Sequence, residues 1–185
     1  MIILASGSPR RRRLLGKITR NFTVVVPNVD ENVPKGTPPA DMVKELALKK
    51  ARAVFCAHRN DIVIGADTIV ALGNTVLGKP MDEADAIRML ERLSDNSHKV
   101  YTGMAICSPE GEWVFHDETI VRFRRLSEAE IISYVNGGEP MDKAGAYGIQ
   151  GGAAPFVERV EGSISNVIGL PVEKLACFLS SHNFI

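Results

Sequence analysis

Cysteine and histidine are scarce in this sequence, and neither is clustered. Cys56, Cys107 and Cys177 lie far apart with no CxxC pair, which argues for a reducing compartment and against a disulfide framework. His58, His98, His116 and His182 form neither HxxxH nor a Cys/His zinc spacing. GxxxxGK[ST] and GxGxxG are both missing, so P-loop and Rossmann readings lack their fingerprints. Long apolar runs are missing too: residues 62–66 are cut at Asp67, far short of a membrane span. The apolar residues 1–5 precede a group of arginines, the reverse of a signal peptide's order. Nor is there a surplus of charge. Lys plus Arg is 22 and Asp plus Glu is 22, which weighs against a nucleic-acid coat or a polybasic membrane binder. These absences lead us to expect a cytoplasmic protein that binds neither nucleic acid nor membrane.

What is present is enough for one α/β domain. The chain has 185 residues, 45% of them hydrophobic, and a chain of this size buries roughly 70% of its unfolded surface. Residues 2–4 read as a short buried strand. Ser8-Pro9 reads as a helix start, with Ser8 as cap and Pro9 at the first helical position. A β-branched strand over 22–26 precedes a polar loop over 27–38. The apolar spacing of Val43, Leu46, Ala47, Ala51 and Val54 predicts a helix over about 40–57. A hairpin is expected from Ile62–Leu72 through Gly73-Asn74 to Thr75–Leu77. Asp82 should cap a helix to about Leu93, and two long strands should follow over 99–107 and 113–126. Ser127 with Glu130 spells a capping box for a helix that Gly137-Gly138 ends. A glycine-rich loop over 139–154, a strand near 156–160 and a last helix from Pro171 complete a mixed sheet covered by helices.

Some residues do not suit a bland core. Residues 1–20 hold six basic side chains and no acidic one. Arginines in the first turn of a helix oppose its dipole at about 0.3–1 kcal/mol each, which makes sense if a polyanion arrives, since guanidinium grips phosphate bidentately. Arg12 and Arg13 read equally well as plain surface. Lys50 falls on the apolar stripe of its helix, where a lysine ordinarily snorkels out to water. Asp67 sits in mid-strand among aliphatics, which costs several kcal/mol unless it is paired, protonated or metal-bound; strand interiors disfavour Asp strongly enough to suggest function. Asp30-Glu31 and Gly78-Lys79-Pro80 are suggestive in that company, and Gln150 carries the donors and acceptor that read a base edge. Cations and carboxylates on turns at strand ends suit a triphosphate with a divalent cation, because Mg²⁺ takes carboxylate and phosphate oxygens.

These pieces resemble the Maf (septum-formation inhibitor-like) nucleoside triphosphate pyrophosphatases. The matching residues are Leu4-Ala-Ser-Gly-Ser-Pro-Arg-Arg11, Lys50-Ala51, Gly65-Ala-Asp-Thr68, Gly78-Lys-Pro80, His98 with Thr102-Gly103, the stretch from Gly138 to Gly151, and Asn166-Val-Ile-Gly-Leu-Pro171. They occur in order across nearly the whole chain, and the ordered set is highly specific. Arg12 and Arg13 are extra to the motif.

The resemblance implies a single Maf-like domain over residues 1–185. Its fold would be a mixed twisted sheet flanked by helices, two lobes around a central cleft, similar to the inosine triphosphate pyrophosphatases. It implies hydrolysis of dTTP and UTP, or modified pyrimidine nucleotides, to the monophosphate and pyrophosphate. Asp67 would be the catalytic proton acceptor and, with Glu31, would hold a divalent metal, Mg²⁺ or Mn²⁺. Ser6, Arg10, Arg11, Lys50, Thr68, Lys79 and Gln150 would bind substrate, with Arg10, Thr68 and Gln150 setting specificity. Two alternatives stay open: a nucleotide-binding regulator of cell division with little turnover, and a 7-methyl-GTP pyrophosphatase. A monomer and a homodimer are both open.

Overall fold

Ile2–Ala5 (β1) is buried at all four positions, which suits a central parallel strand covered on both faces. The computed structural model describes all of residues 1–185. Seven strands form one mixed sheet, ordered β2-β1-β3-β5-β6-β7 with β4 paired to β3: β2 is Phe22–Val25, β3 Ile62–Leu72, β4 Thr75–Leu77, β5 Ser97–Ser108, β6 Gly111–Phe123 and β7 Val157–Glu161. The helices are α1 (Pro9–Leu15), α2 (Pro39–Phe55), α3 (Glu83–Leu93), α4 (Glu128–Asn136), α5 (Ile164–Ile168) and α6 (Val172–Ser181). The expected mixed α/β sheet is borne out. The chain divides into two compact units, and β3, β5 and β6 each contribute residues to both.

The first unit comprises Met1–Thr68, Thr102–Asp117 and Gly169–Ile185. In it β1 pairs in parallel with β2 and β3, Ile2 lying opposite both Phe22 and Ile62. Ser8 caps α1 by accepting from the Arg11 amide, with Pro9 opening the helix as expected. Ile3, Ala5, Ala47, Ala51, Val54, Phe55, Val63, Ala105 and Cys107 form a core between α2 and the sheet. Two mid-strand glycines set how deeply α2 seats. A Cβ on Gly65 would collide with the Ala47 carbonyl and meet the Ala51 nitrogen at 2.8 Å; one on Gly103 would collide with the Val43 carbonyl. Helix backbone therefore lies directly on strand backbone, an approach only glycine permits.

The second unit comprises Ile69–Tyr101 and Glu118–Ile168. The hairpin is as expected, with Val70 opposite Leu77, and β7 runs antiparallel to β6. Asp82 caps α3, and Ser127 with Glu130 forms the full capping box of α4. Leu90, Leu93, Val121, Phe123, Tyr147 and Phe156 centre its core. The glycine-rich stretch over 139–154 is more ordered than the loop expected from sequence: it holds short 3-10 turns at Glu139–Asp142, Ala144–Ala146 and Ala154–Phe156. Helix α5 was not foreseen. Its five residues are too few for a 3.6-residue period to register.

Candidate active site

The seating of α2 has a direct chemical consequence. Lys50 follows the Ala47 carbonyl by one turn, and Asp67 follows Gly65 by two residues on the strand beneath. Closing helix onto strand brings the two side chains together: Lys50 Nζ donates to Asp67 Oδ1 at 2.6 Å, and both residues are only 8% exposed. The snorkelling that sequence suggests for Lys50 does not occur, because the glycine contact draws its stem inward. A second carboxylate reaches the same ammonium from the loop after β2, Glu31 Oε1 lying 2.8 Å from Lys50 Nζ. Asp67 Oδ2 accepts no hydrogen bond from the protein.

Arg11 completes a second chain of contacts. Its Nε donates to the Gly169 carbonyl at 2.8 Å, Nη2 to Thr68 Oγ1 at 3.0 Å, and Nη1 to Ser6 Oγ at 3.4 Å. Thr68 in turn bonds Thr102 Oγ1 at 2.9 Å, and the Ser8 amide donates to Ser6 Oγ. Burial lowers the Arg11 pKa, partly offset by the nearby Asp67 charge. Ser6, Arg11, Glu31, Lys50, Asp67 and Thr68 are thus brought together within the first unit. Arg10 is half-buried beside Arg11 on α1.

Lys79 and Gln150 belong to the second unit. Both are exposed, and neither side chain bonds another protein group. The segments that carry them are tied together, since the Gly145 amide donates to the Gly78 carbonyl at 3.0 Å. Gly145 has φ +69° and faces Val70 so closely that a Cβ would lie 2.9 Å from it. The loop is further held by Tyr134, which accepts from the Gly148 amide and donates to Glu139, whose other oxygen accepts from the Gly152 amide. His98 Nε2 meets the Tyr147 hydroxyl at 2.7 Å.

Sequence reasoning missed several supports of the site. The Gly169 carbonyl and the Thr102 hydroxyl hold Arg11 and Thr68 in place. Lys49, which the helical period points away from the stripe, donates to the Asn32 carbonyl at 2.6 Å and so pins the loop that carries Glu31. Only the mid-strand glycines gave any advance signal of the close backbone approach.

The donor set suits a divalent cation. Two carboxylates converge on one cationic point, and no third His, Cys, Asp or Glu joins them. That is the protein share Mg²⁺ ordinarily takes, one or two carboxylates with the remaining oxygens from phosphate and water. Cys107 offers no rival chemistry: burial, with the Glu112 charge nearby, raises its thiol to about 12, so it is no thiolate nucleophile.

Among solved structures, the Ham1 protein of Coxiella burnetii matches at a TM-score of 0.58 with 16% identity, covering 97% of this chain and 98% of that one. The Staphylococcus aureus Ham1 protein matches at 0.55, also 16% identical, with 98% of each chain covered. The architecture is therefore that of the Ham1 proteins. The family model described as Maf-like protein matches residues 1–182, and the chain belongs to that family. Relatives named dTTP/UTP pyrophosphatase include one from Symbiobacterium thermophilum, 50% identical over 99% of this chain and 94% of its own. Another from Aquifex aeolicus is 47% identical over 100% of this chain and 96% of its own.

Proposed function

We infer that this protein is a nucleoside triphosphate pyrophosphatase that hydrolyses dTTP and UTP to the monophosphate and pyrophosphate. Two findings support the substrate reading: the names its relatives carry over nearly their full length, and the presence here of the residues that the family resemblance assigns to pyrimidine nucleotides, Arg10, Thr68 and Gln150. The observation that carries the chemistry is the buried Asp67, bonded through one oxygen to Lys50 and with the other left without a protein donor.

Asp67 is read as the general base. Its Oδ2 takes a proton from water, whose oxygen forms a bond to the α-phosphorus as the bond from that phosphorus to the β-phosphate oxygen breaks. Lys50, donating to Asp67 Oδ1, fixes the carboxylate's rotamer and leaves Oδ2 as the oxygen that faces water. Arg11, held at three points, presents a planar cation to the phosphates, and Lys79 supplies a further charge for the leaving pyrophosphate. Glu31 and Asp67 are the residues that would hold a Mg²⁺ or Mn²⁺ ion, which when bound neutralises phosphate charge and polarises the reacting oxygens. Gln150 is read as a reader of the base edge. The partner in this reading is the free cytoplasmic nucleotide and not a polymer or a membrane.

The test is Asp67→Asn. A base worth about 10²–10⁴-fold is lost while shape and the bond to Lys50 stay possible, so turnover of dTTP and UTP should fall by that range with melting nearly unchanged. A folded variant with near-normal turnover would remove Asp67 from the mechanism.

A further inference from the structure

The arginines that the site does not use share a feature of their own. Arg12, Arg13 and Arg20 line one surface concavity of about 920 Å³ together with Pro9, Gly16, Phe22, Thr23 and Val24. All three are exposed, and none makes an ion pair or side-chain hydrogen bond within the protein. No acidic residue occurs before Asp30 to offset them. Three arginines thus line one concavity with no counter-charge from the protein, and an acidic partner would complement them.

The concavity is bounded by a strand edge. Phe22–Val25 pairs with β1 on one side and is the end strand of the sheet, and its residues make no other backbone hydrogen bond. Such an edge offers amide donors and carbonyl acceptors together, a template for another strand. A phosphate compound or a DNA backbone supplies acceptors only, and RNA adds just one sugar hydroxyl per nucleotide, not a strand's alternating donors and acceptors. A polypeptide backbone supplies both. Alternation along the strand sets Phe22 and Val24 on one face, both line the concavity, and Val24 is 38% exposed. Cations on α1 and apolar side chains at the edge match an extended segment that alternates acidic and apolar residues.

We propose that the β2 edge and the Arg12–Arg13–Arg20 concavity form a docking surface for an extended acidic segment of a partner protein, which adds to the sheet beside β2. This surface is separate from the residues assigned to hydrolysis, so pyrophosphate release serves as a check on folding and not as the readout.

The test uses the full chain and a fluorescent synthetic peptide of alternating aspartate and valine, followed by anisotropy at low and high salt. Binding should weaken with salt, and the triple variant R12E/R13E/R20E should bind about tenfold more weakly or worse, a loss of roughly 1.4 kcal/mol or more, while releasing pyrophosphate from dTTP normally. A peptide of the same charge with alternate backbone nitrogens methylated should lose binding, and the β2 amides should gain hydrogen-exchange protection only with the unmethylated peptide. Absence of binding, binding indifferent to methylation, or stronger binding by inorganic triphosphate or a single-stranded oligonucleotide would overturn the proposal.

Discussion

Gly65→Ala tests whether the seating of α2 on β3 assembles the site. The added Cβ would strike the Ala47 carbonyl and lie 2.8 Å from the Ala51 nitrogen, where ordinary contact begins at 3.4 Å. Helix and strand must therefore part by about 0.6 Å at the Ala51 nitrogen alone, and further at the carbonyl. Neither contact is the tip of a flexible side chain, so the whole helix has to move. Lys50 lies between Ala47 and Ala51 and moves with them, stretching its 2.6 Å bond to Asp67. Overpacking of this kind costs about 1–3 kcal/mol, which for a chain of this length lowers Tm by roughly 2–12 °C. Misplacement of a catalytic group by about 1 Å costs on the order of 10²-fold, so kcat/KM on dTTP should fall about ten- to a hundredfold well below the variant's melting temperature. Assays at a temperature where circular dichroism shows the variant fully folded separate the two effects. If Gly65→Ala melts lower yet turns over dTTP at the natural rate, the helix contact stabilises the fold without setting the site.

Lys50→Met should cost about 3–5 kcal/mol, because it leaves the Asp67 carboxylate buried without its partner; chemical denaturation at neutral pH reads this, and an unchanged midpoint would mean that solvent already reaches Asp67. Gln150→Ala should cost about 1–3 kcal/mol of discrimination between bases and leave generic triphosphate turnover less affected, so equal losses on UTP, dTTP and GTP would contradict its role. His98 is 2% exposed, and burial lowers its pKa from 6.5 to about 4. Above pH 6.5 both the folded and unfolded forms are neutral, and stability is intact. As pH falls from 6.5 toward 4 the unfolded chain binds a proton that the folded chain refuses, and stability drops by about 3 kcal/mol. His98→Phe should flatten that part of the stability profile relative to the natural protein, and parallel profiles would show that His98 is not the group responsible.

Local signals carried much of the fold. Ser8-Pro9, Asp82 and Ser127 with Glu130 each mark a helix start because a side-chain oxygen must satisfy amides that the helix cannot, and the structure shows all three caps. Asp67 stood out because charge in mid-strand has no ordinary explanation. Lys50 did not, since helical periodicity places it at the stripe's edge but cannot report how far the helix sinks. That depth depends on Gly65 and Gly103, residues defined by what they leave out. The Arg11 supports were hidden for a related reason: the Gly169 carbonyl is backbone, 158 residues away along the chain, and no side-chain pattern announces it. The order within 139–154 was likewise obscured, because glycine and alanine suggest a flexible tip while the structure ties the segment down through Tyr134, Glu139 and Tyr147.

The most direct test of the central claim is pyrophosphate release by the purified protein with Mg²⁺ or Mn²⁺ across UTP, dTTP, CTP, ATP, GTP and 7-methyl-GTP, with the Asp67→Asn protein alongside. The account predicts rapid release from UTP and dTTP, loss of release on chelation, and a fall of about 10²–10⁴-fold in the variant. Tight nucleotide binding without release from any of the six, or equal release by the natural and Asp67→Asn proteins, would contradict it.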